Sequence, residues 1–124
     1  MAIVGLGTDI VQVERIAKSK QMHALAKRVL TQAEWDSFEQ HVAPARFLAK
    51  RFAAKEAAAK ALGTGIAKGV GFQQIEVSNN QFGKPELVFS GAALALCEQL
   101  GVNSQFISIS DERDYAVATV VLER

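Results

Sequence analysis

Two carboxylates in this 124-residue chain stand where their neighbours call for apolar side chains. At 3.6 residues per turn, Leu48, Phe52, Glu56, Ala59 and Gly63 share one stripe of an Ala-rich helical run. Leu48 and Phe52 turn that stripe toward the core, so Glu56 needs a cation or a set of hydrogen bonds to offset its burial. Lys60, one turn later in the favourable Glu-to-Lys order, is one such partner, and a metal ion is another. Asp9 lies on a strand face with Ile3, Gly5 and Gly7, where the two glycines leave room for a helix or a ligand. It could equally cap a helix beginning near Val11. Two isolated carboxylates, one on a strand end and one inside a helix, suit magnesium. That ion takes few protein oxygens and keeps waters and substrate phosphates as its other ligands. Spacing alone leaves the cap and the local ion pair standing beside the metal site.

Arg46, Lys50, Arg51, Lys55, Lys60 and Lys68 surround Glu56 in the sequence. Several of these read as a solvated helix face. Lys60 stands apart because it follows Glu56 by one turn and borders any metal held there. Gly63-Thr64-Gly65 resembles a phosphate loop but falls at a helix C-terminus, where the helix dipole repels anions. Its first role is to stop the helix, and ligand contact is secondary.

Other chemistries lack their parts. Two histidines, His23 and His41, and one cysteine, Cys97, are too few for a zinc cluster of ordinary spacing. No nucleophile elbow and no dinucleotide fingerprint is present. A formal net charge of +1 argues against a general nucleic-acid or membrane-surface binder. The lone cysteine fits a reducing, cytoplasmic setting, and Met1–Ile10 lacks the basic start of a signal peptide. Hydrophobic residues make up 49% of the chain, so some apolar surface is expected to lie under a neighbouring subunit.

The elements that must position these residues follow from their periodicity. A strand is predicted over Ala2–Ile10, then helix from Val11 to Leu30 with a break at Ser19–Lys20–Gln21. Thr31-Gln32-Ala33-Glu34 is a capping box that opens a helix carrying Trp35 and Phe38 on one face. Pro44 suits a first helical turn, and the Ala-rich helix runs from there to Leu62. A hairpin is predicted from Gln74–Ser78 and Glu86–Phe89, and Ser90 caps a helix ended by Gly101, with Leu94, Cys97 and Leu100 as its apolar side. A second hairpin joins Phe106–Ser110 to Tyr115–Leu122. The last strand is apolar on both faces, which predicts cover on both sides. The expected class is one α+β domain over residues 1–124, a mostly antiparallel sheet packed on the long Ala-rich helix and shorter helices.

Four motifs occur in order: Gly7-Thr8-Asp9; the run Arg46-Phe47-Leu48-Ala49-Lys50-Arg51-Phe52-Ala53-Ala54-Lys55-Glu56-Ala57-Ala58-Ala59-Lys60-Ala61; Gly63-Thr64-Gly65; and Gly83-Lys84-Pro85. In this order and spacing the chain resembles the holo-[acyl-carrier-protein] synthases, the small single-domain 4′-phosphopantetheinyl transferases, over essentially its whole length. The resemblance implies magnesium on Asp9 and Glu56, and a catalytic trio of Asp9, Glu56 and Lys60. It also implies coenzyme A held by Lys60, Gly63, Thr64, Gly65, Gly83, Lys84 and Pro85. A serine of acyl carrier protein would attack the β-phosphate, and adenosine 3′,5′-bisphosphate would leave. The nucleophile then belongs to the protein substrate, which accounts for the missing triad. The general base stays open between Glu56 acting through a metal-bound water and a carboxylate of the carrier.

The same resemblance implies that the first helical region docks an acidic carrier helix. Between Glu14 and Arg28 the chain carries Arg15, Lys18, Lys20, Lys27 and Arg28 against the single Glu14. Met22, with Val13 and Ile16, would add apolar contacts. A homotrimer with active sites between subunits is implied as well. One position departs from the family: Asp111 replaces a histidine that many members use at the nucleotide end of coenzyme A. An anion cannot pair with a phosphate, so no phosphate contact is carried onto Asp111. Two rivals remain: a transferase of the same family serving a polyketide or peptide synthase, and a non-catalytic module that binds an acidic partner.

Overall fold

The Ala-rich run forms α4, Pro44–Ala61, and the other elements are arranged around it. A computed structural model describes all of residues 1–124. Ahead of α4 come β1 (Ile3–Gln12), α1 (Val13–Ala17), α2 (Met22–Val29) and α3 (Gln32–Gln40). After it come a 3₁₀ turn (Phe72–Gln74), β2 (Ile75–Asn79), β3 (Pro85–Phe89), α5 (Gly91–Leu100), β4 (Ser104–Asp111) and β5 (Tyr115–Glu123). The α+β class and the antiparallel pairing are as the sequence predicts. β5 lies between β1 and β4 in a three-stranded antiparallel sheet, and β2 and β3 form a separate hairpin.

α4 is buried on most of its circumference. Ala53, Ala54, Ala57, Ala58 and Ala59 are fully buried. One side joins Val120 and Leu122 of the sheet with Ile75 and Val77, while its N-terminal half joins Val29, Phe38 and Phe72 in a second core. The small side chains let elements approach α4 at close range. A Cβ at Gly7 would sit 1.9 Å from the Ala57 carbonyl oxygen, and one at Gly5 would sit 2.1 Å from that of Ala61. The bare glycine face of β1 therefore receives a helix. Gly5 lies over Ala61 and Gly7 over Ala57, so β1 runs antiparallel to α4 and carries Asp9 alongside the Glu56–Lys60 turn.

Several sequence expectations change. Asp9 caps nothing: β1 continues to Gln12, which precedes α1 without a side-chain cap. Ser90 precedes α5 but makes no capping bond, and Leu94 points outward while Ala93 and Cys97 are buried. Val13 and Ile16 pack into the second core, which leaves them little surface for apolar docking. Lys55 is not solvated but fully buried. The capping box holds, with Thr31 Oγ1 accepting from Glu34 N and Glu34 accepting from Thr31 N.

β5 is covered on one side within this chain. Ala116, Ala118, Val120 and Leu122 are buried, whereas Val117, Thr119 and Val121 on the other face are partly open. Around them Leu6, Ile10 and Phe106 are 66%, 61% and 51% exposed. The predicted cover on this second face is absent from the single chain.

Candidate functional site

Asp9 and Glu56 line one cleft of about 360 Å³, walled by β1, α1 and α2 through Val11, Arg15, Ile16 and Leu25, with Phe52 on the α4 side. The break between α1 and α2 lets the two short helices fold over the strand end rather than continue past it. Glu56 makes no ion pair with any side chain of the protein. Burial raises its pKa above the ordinary carboxylate value, and the neighbouring Asp9 charge adds to the rise, while Lys60 and Arg28 oppose it. The sequence-level alternative of a Glu56–Lys60 pair is not realised. Lys60 Nζ instead donates to Asp9 Oδ1 and to the Thr8 carbonyl, both at 3.0 Å. The trio thus meets in space with its charges unequally shared: Asp9 has the ammonium, and Glu56 faces the cleft without a partner.

The remaining predicted residues fall into three places. Gly63, Thr64 and Gly65 follow α4 directly, where Gly63 and Gly65 adopt φ of +87° and +64°. A Cβ at either would meet nothing, so glycine serves the left-handed backbone there and not a close approach. They stop the helix just beyond Lys60 and do not line the Asp9–Glu56 cleft. Gly83, Lys84 and Pro85 sit in the β2–β3 hairpin, and Lys84 and Pro85 line a different cleft with Gln105 and Phe106. Within one chain they are not brought to the carboxylates.

Of the residues assigned to docking, Arg15 lines the carboxylate cleft. Lys18 is engaged by Glu14 at 2.6 Å, which occupies part of its charge. Met22 is half-buried at the start of α2, and Lys27 and Arg28 are exposed in its last turn. Arg28 lies over the Phe72 ring, 5.7 Å from its centroid. Asp111 is held by Arg46 at 3.1 Å and Lys50 at 3.6 Å, so the carboxylate brings cations of its own and ties the β4–β5 turn to α4.

Periodicity missed the pair next to the site. Lys55 and Glu34 form a fully buried ion pair. Glu34 also accepts from Val77 N at 2.7 Å, and Thr31 Oγ1 donates to Glu76 at 2.6 Å. The one sequence signal was a lysine embedded in buried alanines opposite a capping-box glutamate, and both halves have commoner local explanations.

The chain is similar to known proteins over nearly its whole length. Residues 5–120 match the 4′-phosphopantetheinyl transferase superfamily. The chain is 61% identical to a holo-[acyl-carrier-protein] synthase of Alteromonas mediterranea, covering 99% of this chain and 98% of that one. A crystal structure of holo-[acyl-carrier-protein] synthase from Neisseria meningitidis superposes with a TM-score of 0.89 at 46% identity, over 98% of this chain and 99% of that one. A synthase from Bacillus anthracis, solved in complex with coenzyme A (3′,5′-ADP), superposes with a TM-score of 0.82 at 40% identity over 99% and 98% of the two chains. With its whole length matched in sequence and fold, the chain belongs to the 4′-phosphopantetheinyl transferase superfamily.

Proposed function

We propose that this chain, as a single transferase domain over residues 1–124, moves the 4′-phosphopantetheine group of coenzyme A onto a serine of apo acyl carrier protein. The products are holo carrier and adenosine 3′,5′-bisphosphate, and the reaction serves fatty-acid biosynthesis in the cytoplasm. The observation that carries this reading is that Asp9 and Glu56 line one cleft, with Lys60 bonded to Asp9, in a fold whose relative was solved with coenzyme A. No helix is long and apolar enough to cross a membrane.

The donor set fits magnesium. No three acidic, histidine or cysteine side chains gather into a complete protein cage. Two carboxylates at a cleft, one of them unpaired, leave the other coordination positions to water and substrate phosphate, as magnesium prefers. Asp9 and Glu56 would hold the ion, which when bound neutralises charge on the diphosphate and steadies the leaving group. Lys60, fixed by Asp9 and the Thr8 carbonyl, sets a positive charge beside the transferred phosphoryl group. Arg15 at the cleft wall, with Lys27 and Arg28 on α2, presents the cationic surface to an acidic carrier. Glu56 is the unpaired carboxylate of the cleft and one candidate to take up the serine proton, and a carboxylate of the carrier is the other.

A homotrimer accounts for the rest of the predicted coenzyme A residues. The open sheet face includes Phe106, which also lines the Lys84–Pro85 cleft. A second copy seated on that face would cover Leu6, Ile10 and Phe106 and bring a Gly83–Pro85 hairpin beside a neighbour's carboxylates. Light scattering should then give three chains per particle, and Leu6→Asp should shift it to one.

The decisive assay is intact mass spectrometry of apo carrier protein incubated with this chain, coenzyme A and magnesium. A phosphopantetheine mass gain is expected, and its absence overturns the transferase reading.

A further inference from the structure

We propose that Lys55 is a positioning residue: from its buried site it fixes the last turn of α2, and with it Arg28, on the Glu56 side of the cleft. This rests on the transferase reading for its kinetic consequence, but its geometry stands apart from that reading.

All three donors of the Lys55 ammonium are used. It donates to the Val29 carbonyl at 2.6 Å, to the Phe72 carbonyl at 3.2 Å, and to the Glu34 carboxylate. Val29 ends α2, where the last carbonyls have no intrahelical donor, and a cation there also suits the helix dipole. Gln73 acts beside it. Its Nε2 donates to the Lys27 carbonyl at 2.9 Å and to the Leu30 carbonyl at 3.2 Å. The end of α2 is therefore pinned to the 3₁₀ turn at Lys27, Val29 and Leu30, on either side of Arg28.

The ring beneath Arg28 belongs to Phe72, whose carbonyl Lys55 also holds. Phe72 in turn packs against Phe52 with ring centroids 5.6 Å apart, and Phe52 lines the cleft with Glu56. One buried ammonium thus ties together the backbone next to Arg28 and the backbone of its ring platform. Neutralising Glu34 alone would not require this. A buried ion pair contributes little net stability compared with well-packed apolar side chains, but no apolar side chain can join two carbonyls from separate segments. The chemistry of the partner follows from the cation: an acidic surface, which in the transferase reading is the carrier protein.

A double-mutant cycle tests the coupling. In the native background Arg28→Ala is expected to raise the KM for carrier protein about 10-fold, with a smaller effect on the KM for coenzyme A. In the Lys55→Met/Glu34→Gln/Gln73→Ala background, where the Lys27, Val29 and Leu30 carbonyls all lose their side-chain donors, the same substitution is expected to change it by less than about 2-fold. Gln73→Ala alone should leave most of the roughly 10-fold effect. Equal ratios in the native and triple-variant backgrounds overturn the proposal. If that background does not fold, Phe72→Leu removes the platform and keeps every bond made by Lys55. It should raise the carrier KM as Arg28→Ala does and add nothing to it, and an unchanged KM overturns the proposal. A readout independent of turnover is the ring-current shift of the Arg28 side-chain protons in the NMR spectrum. That shift should vanish in Phe72→Leu, and a native spectrum without it shows that Arg28 is not held over the ring. Failure of the native chain to modify the carrier sinks the transferase reading, while the NMR measurement still decides the placement.

Discussion

Lys55 and Glu56 are adjacent on α4, yet one has every hydrogen-bond partner it can use and the other has no ion pair at all. Lys55 is enclosed by Glu34, the Val29 carbonyl and the Phe72 carbonyl, all from segments folded against the inner side of the helix. Glu56, turned about 100° away by the helical repeat, faces a cleft beside a second carboxylate. Burial lowers the pKa of Lys55 against the pull of Glu34, and burial raises that of Glu56 with Asp9 adding to it. In one case the protein supplies the compensating charge itself. In the other it supplies none, and the proposed function gives that position to a ligand. An ionisable group in a fold of this kind marks a site by the partner it lacks more than by its burial.

Removing Lys55 should give the largest effect. Lys55→Met strands the Glu34 charge in the core, and the expected loss is about 3–5 kcal/mol in urea unfolding. Lys55→Met/Glu34→Gln should recover part of that loss, because the glutamine oxygen can still accept from Thr31 N or Val77 N. A single variant that loses less than about 1 kcal/mol would place the pair on the same footing as a surface ion pair.

The opposite result is expected at the next residue. Glu56→Gln keeps the shape and removes the charge, so turnover at limiting magnesium should fall by about 100-fold or more. The fold should lose no stability, since Glu56 holds nothing together. Normal turnover at limiting magnesium would remove Glu56 from the metal site. A third effect, of about 1–3 kcal/mol or more, comes from Gly7→Ala. Its methyl meets the backbone of α4 at Ala57 and Ala61, which cannot rotate aside, so β1 must lift and carry Asp9 from Lys60. Stability and turnover should drop together. A variant with native turnover would mean that the placement of Asp9 tolerates that lift.

The contrast explains what could be read in the sequence. Glu56 was legible because a helical stripe has a period, and Gly5 and Gly7 because two missing side chains on one strand face announce a close approach. Thr31–Glu34 was legible as a capping box because its bonds are local. The same glutamate's second role was not, since Lys55 is 21 residues away and the burial of α4 on both sides erases the amphipathic pattern that would have located it. Arg28 read as one cation among five on a basic segment. Its distinction rests on Phe72, which lies beyond α4 in sequence. The carboxylate site itself needed the motif order, because Asp9 and Lys60 are 51 residues apart and each had a nearer, plainer explanation.

The smallest expected effect is also the sharpest test of the unpaired carboxylate. The folded-state pKa of Glu56 is raised above its ordinary value, through burial first and the Asp9 charge second. Well below the ordinary value both the folded and unfolded chains hold the proton, and Glu56 favours neither. As pH rises past it the unfolded chain releases its proton first, so the folded state binds more protons and stability falls. The loss is complete once pH has passed the folded value. Glu56→Gln removes this dependence, so without metal the variant should match the native chain at acid pH and exceed it slightly in Tm at neutral pH. Magnesium should reverse the order, because an ion that binds the folded chain through Glu56 stabilises the native protein and not the variant. Melting both proteins at acid and neutral pH, with and without magnesium, isolates the effect. A native protein more stable than the variant at neutral pH without metal would show that Glu56 has a stabilising partner within the fold, and the distinction from Lys55 would collapse.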